Sequence, residues 1–360
     1  MSTFSCPLVE FTLEKHPGAD TLSIAHIKGW QVVVKTEEFL NETLGVYVPI
    51  DAVASETNQF LGFLGGKRVK TIKLRKIISQ GILLPWSAVE DYLQNESSFD
   101  GKIVGFKIGD DLAPALNISK YLPKDSLHKL FSGQVPSLKR EDWPEEFVKY
   151  TDIENINNFP DIIQEGEFVQ ITEKLHGTSA RFGLINNQLY LGTRNTVLKL
   201  DIEEKQYTIW HKVFYREKID EFLKNIQSSF NEIILFGEIV GKGIQDLHYG
   251  FEEPTFILYD VKVKKDGWFQ YLNHDEYILN NDAHAAFMLW QIRKAPLLYV
   301  GPYSKVKLSL RHGNDTISNT HMREGIVIKP VQERLHLEIG RVVLKLHSEE
   351  YLLRHGATDR

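Results

Sequence analysis

Short apolar runs, broken every few positions by charge, glycine or proline, fill roughly the first 120 residues. The stretches SIAHIKGWQVVVK, LGVYVPIDAVA, KRVKTIKLRKIISQGILLP and GKIVGFKIG have the length and β-branched content of strands. Their turn-rich punctuation predicts a small antiparallel barrel or sandwich. From about Asn117 to Pro160 the pattern loosens, and PKDSLHKLFSGQVPSLKREDWPEE reads as a connector with one short helix. Beyond it, strands are expected near Phe168 to Glu173, Gln188 to Arg194, Ile233 to Glu238, Thr255 to Val263, Gly325 to Lys329 and Arg341 to Leu346. Between Asp201 and Phe230, Ile202, Ile209, Trp210, Val213, Phe214, Ile219, Phe222, Leu223 and Ile226 recur at mostly helical spacing, with Asp201 as the expected N-cap. A second helix is expected over His274 to Trp290. No internal repeat or low-complexity tract interrupts this order.

The change of texture predicts three parts: a β-rich domain over 1–120, a connector over 121–160 and a mixed domain over 161–360. Composition is that of an ordinary soluble globular protein. The single cysteine, Cys6, excludes an intrachain disulfide and a thiolate zinc cluster. No apolar run approaches the ~18 residues of a membrane span, and the start MSTFSCPLVEF lacks the layout of a signal peptide. A cytoplasmic or nuclear location is therefore expected. The net charge of −6 argues against indiscriminate nucleic-acid binding, but a local patch can stand out from an acidic total. One does: Lys67, Arg68, Lys70, Lys73, Arg75 and Lys76 place six basic residues within ten positions. Thr71, Lys73 and Arg75 would share one strand face, with Ile72 and Leu74 on the other. Such a strand either discourages edge-to-edge aggregation or follows a phosphate backbone.

In the second half, charged residues stand where apolar runs finish. ITEKLHG places Lys174 there, IILFGE ends on Glu238, EGIVIKP opens with Glu324 and closes on Lys329, and RVVLKLHS carries Lys345. Taken singly, Lys174 reads more readily as a strand-end surface lysine, Glu238 equally as a turn acid and Lys329 as a snorkelling strand terminus. Taken together, two glutamates and three lysines bordering buried strands suit phosphoryl or nucleotidyl transfer. A nucleophilic lysine must be partly deprotonated, which nearby positive charge or desolvation promotes. Further lysines and a metal ion neutralise charge at phosphorus and on the departing pyrophosphate. Carboxylates hold such a metal, commonly through its waters.

These segments resemble the motifs of the covalent nucleotidyltransferases, the ATP-dependent DNA and RNA ligases and the mRNA capping enzymes. EKLHGTS is similar to motif I, in the Lys-x-His-Gly-Thr form of RNA ligases. LGTRN resembles motif Ia, LFGEIVGKGIQDLHYG motif III, FILYDVKV motif IIIa, EGIVIKP motif IV, and VVLKLHS stands where motif V belongs. The resemblance covers roughly residues 165 to 350. It implies that Lys174 attacks the α-phosphorus of ATP and carries AMP as a phosphoramide, with Lys329 and Lys345 holding the α-phosphate. Glu173, Gly177 and Ser179 would border the nucleotide, Tyr259 would stack on adenine, and Arg194 would meet the ribose or a substrate phosphate. Glu238 and Glu324 would contact ribose and the shell of a magnesium or manganese ion.

The extra domain precedes the core, and only Glu349 to Arg360 follow motif V. That order resembles the Deinococcus-type RNA ligases. It implies an α+β chain: an N-terminal OB-like β-barrel that binds nucleic acid through the Lys67–Lys76 stretch, followed by a nucleotidyltransferase domain of antiparallel sheets flanked by helices. The implied activity is ATP-dependent sealing of nicks whose 3′-OH end is RNA and whose other end is a 5′-phosphate, by a monomer. A DNA ligase, a capping-type guanylyltransferase and a nucleic-acid-binding protein with an inactive ligase core are the rival readings. Two positions depart from the family pattern. His176 stands where many ligases keep an acid, and motif V has one lysine, Lys345, with His347 as a candidate partial substitute for the other.

Overall fold

The computed structural model describes residues 4–95, 105–121, 136–226, 230, 232–272, 292–354 and 357–358. The chain divides into two compact units, one of residues 1–123, 154–161 and 347–360, the other of 124–153 and 162–346.

In the first unit the expected β-rich runs are strands: β1 (Leu8–Glu10), β2 (Thr12–Lys15), β3 (Leu22–Ile27), β4 (Trp30–Lys35), β5 (Leu44–Val48), β6 (Ala52–Val53), β7 (Thr71–Leu74), β8 (Ile77–Gln80) and β9 (Ile82–Pro85). They pair antiparallel as β1-β5-β9, β2-β3-β4 and β7-β8, while β6 takes β10 (Ser119–Lys120). Helix α1 (Trp86–Asn95) buries Val89 and Leu93 in a core with Cys6, Leu8, Val46, Val48 and Leu84. The fourth expected run, GKIVGFKIG, lies partly outside the described residues, and its described part, 105–109, forms no strand. The strand β11 (Glu154–Asn155) also belongs to this unit.

The second unit holds two sheets. One orders β15-β14-β13-β16-β17-β18, built from β13 (Thr178–Ile185), β14 (Gln188–Thr193), β15 (Val197–Leu198), β16 (Ile233–Val240), β17 (Thr255–Lys265) and β18 (Trp268–Tyr271). The other contains β12 (Phe168–Lys174) between β19 (Leu297–Pro302) and β20 (Gly325–Pro330), with β23 (Leu344–His347) beyond β20. A small ribbon joins β21 (Leu335–His336) to β22 (Gly340–Arg341). The expected strand over Arg341 to Leu346 is thus two strands, broken at Val342 and Val343.

The expected helix after Asp201 is also divided, into α2 (Ile209–Arg216) and α3 (Ile219–Asn225). Lys218 adopts a left-handed conformation, φ 55°, and ends the first helical path. Asp201 is not its cap. Thr208 is, through a capping box in which His211 answers from the third helical position. Trp210, Val213, Phe214, Ile219, Phe222 and Leu223 pack on Phe182, Leu235, Phe256, Leu258, Val261 and Val263, which form one face of the six-stranded sheet. The last helix, α4 (Glu349–Leu352), is capped by the Ser348 hydroxyl. The helix expected over His274 to Trp290 lies outside the described residues, and among those described no helix is long and apolar enough to cross a membrane.

The segment 136–153, which lacks a hydrophobic period, folds into the second unit with one 3-10 turn, Arg140–Asp142. Its Phe147 and Tyr150 pack against Ile185, Ile234 and Phe236, on the face of the six-stranded sheet opposite the helices.

Candidate active site

Strand pairing brings the charged strand ends together. In the antiparallel register of β12 and β20, Lys174 lies opposite Gly325 and Gln170 opposite Lys329. Glu324, one residue before β20, is thereby set beside Lys174, with Nζ 2.8 Å from Oε1. The pairing of β13 with β16 puts Glu238 opposite Ser179. The turn between β12 and β13 passes so close to β16 that a Cβ on Gly177 would meet the Ile239 carbonyl oxygen at 2.3 Å and Glu238 Cγ at 2.8 Å. Only glycine fits, which gives the fourth position of Lys-x-x-Gly a steric cause.

Glu238 is pushed up to about 8 by burial; the charge of Glu324 adds to the rise, while Lys174 and Arg194 oppose it. Glu173, alternating with Lys174 along β12, is buried. Its Oε2 accepts the Thr316 N–H at 2.8 Å and lies 3.6 Å from Arg323 Nε. Burial raises its carboxyl group above the ordinary range. Arg194, just past β14, pairs with Asp152 of the preceding segment. Lys345 is buried on β23, and His347 follows on the same strand face and stacks on Tyr351, with ring centres 5.5 Å apart.

His176 is held on several sides. Its main-chain N–H donates to Tyr249 Oη at 2.8 Å, its Nε2 lies 3.0 Å from Asp246 Oδ1, and its Nδ1 lies 3.6 Å from Glu324 Oε1. A carboxylate therefore does reach this point of the site, supplied by Asp246 from the loop after β16.

A bulge sets Tyr259. Opposite Phe236 and Gly237 of β16, the register slips so that Asp260 and Leu258 are the partners and Tyr259 is the extra residue. Leu258 and Val261 face the helices, so Tyr259 and Asp260 both turn to the other face. Tyr259 is hydrogen-bonded to the Ser179 hydroxyl. Asp260 Oδ2 accepts from Tyr150 Oη at 2.7 Å, Arg341 Nη2 at 2.8 Å and Lys329 Nζ at 3.1 Å. Burial works to raise this carboxyl group, but Arg341, Lys329 and the Tyr150 hydroxyl overcome it and hold it below the usual range. Arg341 is paired in turn with Glu333.

Asp260, Arg341, Tyr150 and Asp246 carry no motif signal that singles them out. The available hint is an acid inside the apolar run FILYDVKV, a position where a carboxylate must be paired.

A family model described as RNA ligase matches residues 167–347. The chain belongs to the RNA ligase family. An OB-fold domain model matches residues 10–86, in line with the N-terminal barrel expected of the sequence. Among solved structures, an apo mutant of a Naegleria gruberi RNA ligase is similar at 23% identity, TM-score 0.77, over 99% of either chain. A mutant of the Naegleria gruberi RNA ligase with ATP and manganese gives 23% identity and TM-score 0.77 over 99% of this chain and 100% of that one. The Naegleria gruberi RNA ligase with pyrophosphate gives 24% and 0.73 over 97% and 98%. At such identities the likeness establishes the α+β fold. No curated protein matches the chain.

Within this RNA ligase family member, the basic stretch of the N-terminal unit leads into the β7–β8 hairpin, with Lys67, Arg68 and Lys70 before it and Lys73, Arg75 and Lys76 on it. Its turn is made by Arg75 and Lys76, with φ of 44° and 76°. Lys67, Lys70, Lys73, Arg75 and Lys76 are exposed. Arg68 is turned inward, paired with Asp51 and donating to the Ala357 carbonyl at 2.6 Å. Along β7, Thr71 and Lys73 alternate with Ile72 and Leu74 as expected, but Arg75 lies in the turn, and both faces are exposed beyond the buried Thr71.

Proposed function

We propose that this RNA ligase is ATP-dependent, works through a lysyl-AMP formed at Lys174, and seals nicks whose 3′-OH end is RNA. The observation that carries the reading is the convergence of Lys174 with Glu324 and Glu238 at the junction of the two sheets. The amine of Lys174 attacks the α-phosphorus of ATP, a P–N bond forms, pyrophosphate departs and the amine loses its proton. An oxygen of the 5′-phosphate at the nick then attacks the same phosphorus, and the P–N bond breaks to leave a 5′–5′ anhydride. The 3′-OH finally attacks the 5′-phosphorus, loses its proton and expels AMP.

Lys329 and Lys345 are assigned to the α-phosphate, Tyr259 to the adenine face, Glu173, Gly177 and Ser179 to the nucleotide border, and Arg194 to ribose or a substrate phosphate. In the last case the phosphate would replace the carboxylate of Asp152. Glu238 and Glu324, two carboxylates whose charges repel one another, suit a magnesium or manganese ion held through its waters. Such an ion would supply charge neutralisation at phosphorus. The N-terminal OB-fold domain, with Lys67, Lys70, Lys73, Arg75 and Lys76, is the proposed nucleic-acid module. We place the protein in the Deinococcus-type branch because that domain precedes the core, with a monomer acting on nicked duplexes as the further expectation of that resemblance.

The test is incubation with α-labelled ATP or GTP and magnesium. Label attached with ATP, and lost in Lys174→Met, is expected. No adduct with any nucleotide points to an inactive core, and an adduct with GTP alone points to capping. Nicked duplexes with RNA or DNA at the 3′-OH side should differ in sealing; equal sealing counts against the RNA-end assignment.

A further inference from the structure

Beyond the bulge at Tyr259, β17 keeps strict alternation, so Asp260, Lys262 and Lys264 share the face opposite the helices. Across the hairpin, Tyr271 lies opposite Lys262 and Phe269 opposite Lys264, which sets both rings on that same face. The result is a ladder of cations and rings. The Arg341 guanidinium lies 3.4 Å from the Tyr271 ring centre, Lys262 Nζ lies 5.5 Å from both Tyr271 and Phe269, and Lys264 Nζ lies 5.7 Å from Phe269. One end of the ladder is Asp260 with Lys329. The other is the open turn at Asp266 and Gly267.

Charge along the ladder is unevenly answered. Lys264 has Glu232 at 3.0 Å, and Arg341 has Asp260 and Glu333. Lys262 is half-buried between the two rings, and among the described residues no carboxylate pairs with it. Burial, with Arg341 nearby, lowers its pKa. Rings and cations that follow one another along a strand, at about 6.6 Å per alternate residue, suit a polymer of phosphates and bases better than one compact triphosphate.

We infer that Lys262, flanked by Tyr271 and Phe269, is a subsite for the RNA strand, taking a backbone phosphate while Phe269 offers a ring to a neighbouring base. This rests on the ligase reading and extends its nucleic-acid contacts into the catalytic unit.

The test compares wild type, Lys262→Gln and Lys262→Arg for binding of a nicked, 5′-phosphorylated RNA duplex over a range of salt. Lys174 labelling by ATP is followed in the same preparations. Expected for Lys262→Gln is several-fold weaker binding and slower sealing. The slope of log affinity on log salt should fall by about one, with retained Lys174 labelling. Lys262→Arg should keep the wild-type slope. An unchanged slope in Lys262→Gln overturns the inference. So does a loss of Lys174 labelling that matches the loss of sealing, because it would assign Lys262 to the ATP phosphates. Failure of the wild type to label at all would instead defeat the ligase reading.

Discussion

Lys174 Nζ and Glu324 Oε1 stand 2.8 Å apart although 150 positions separate the two residues in the chain. The register of β12 and β20 makes the pair, since Lys174 faces Gly325. The pair describes a resting site: the amine is bonded to a carboxylate, and it must leave that oxygen to reach a phosphorus. Replacing Lys174 by arginine preserves a cation for Glu324 but removes the nucleophilic amine. Lys174→Arg should therefore fold and give no covalent label with α-labelled ATP. A labelled Lys174→Arg protein would show that the nucleophile lies elsewhere.

Gly177 is needed for space. An added Cβ would stand 2.3 Å from the Ile239 carbonyl oxygen, and backbone on that side is fixed by the β13–β16 ladder. The turn carrying Lys174 must shift instead. Gly177→Ala is expected to cut the rate of lysine adenylylation on the order of 100-fold through misplacement of the nucleophile. Single-turnover labelling measures it, and a rate equal to wild type would show that the turn can yield without cost.

Asp260 joins three donors at one oxygen, two of them cations, in a fully buried place. Asp260→Asn keeps the shape and removes the charge, leaving Lys329 and Arg341 with Glu333 as the remaining acid of the group. Breaking such a buried pair costs roughly 3–5 kcal/mol. A denaturant midpoint that falls accordingly, together with weakened adenylylation, is the expected result. Unchanged stability would mean that the cluster rearranges around Glu333.

These positions also divide what could be read from the chain. Lys174, Glu238, Glu324 and Lys329 were legible because each closes or opens an apolar run, a local pattern that needs no knowledge of the partner. Their antiparallel neighbours then follow from ordinary pairing. Tyr150 and Asp260 were not, because their meaning lies in a contact across 110 positions. The segment holding Tyr150 has no period, so it reads as linker, while its aromatics pack on the sheet. Local conformation hid other features. The turn at Arg75 and Lys76 and the break at Lys218 use left-handed backbone without glycine or asparagine, the residues that ordinarily announce it. The α2 cap uses His211 where a glutamate or glutamine gives the recognisable box.

His211 also ties stability to pH. It is fully buried, with Nε2 2.7 Å from the Lys199 carbonyl oxygen and Nδ1 2.8 Å from Thr208 Oγ1. Burial lowers its pKa, against the Lys199 carbonyl. The unfolded chain therefore takes up the proton first, near pH 6.5. The contribution to stability is complete above that pH and is lost as pH falls through it toward the lower folded value. His211→Gln keeps a box-forming side chain that does not titrate. Its melting temperature should drop less than that of wild type between pH 7.5 and 5.5, whatever the offset at pH 7.5. Parallel drops would assign the acid sensitivity to other groups.

The β7–β8 hairpin decides between an edge device and a nucleic-acid contact. Lys70, just before it, and Lys73 and Arg75, on it, are exposed, whereas Arg68 is consumed by Asp51 and the Ala357 carbonyl. Each residue that neutralises a duplex phosphate releases counterions and adds about 0.9 to the salt slope. Replacing Lys70, Lys73 and Arg75 together by glutamine should flatten that slope by up to about 2.7 and impair nick sealing. Label on Lys174 should be retained, because the hairpin belongs to the other compact unit. Sealing that survives the triple replacement at physiological salt would leave the lysines as guards of an exposed strand edge. Lost sealing with an unchanged slope would place the defect in the fold of the hairpin rather than in its charge. Arg68→Gln should behave differently from the three: its inward pair is largely shielded from water, so its loss would lower stability and leave the salt slope as it was.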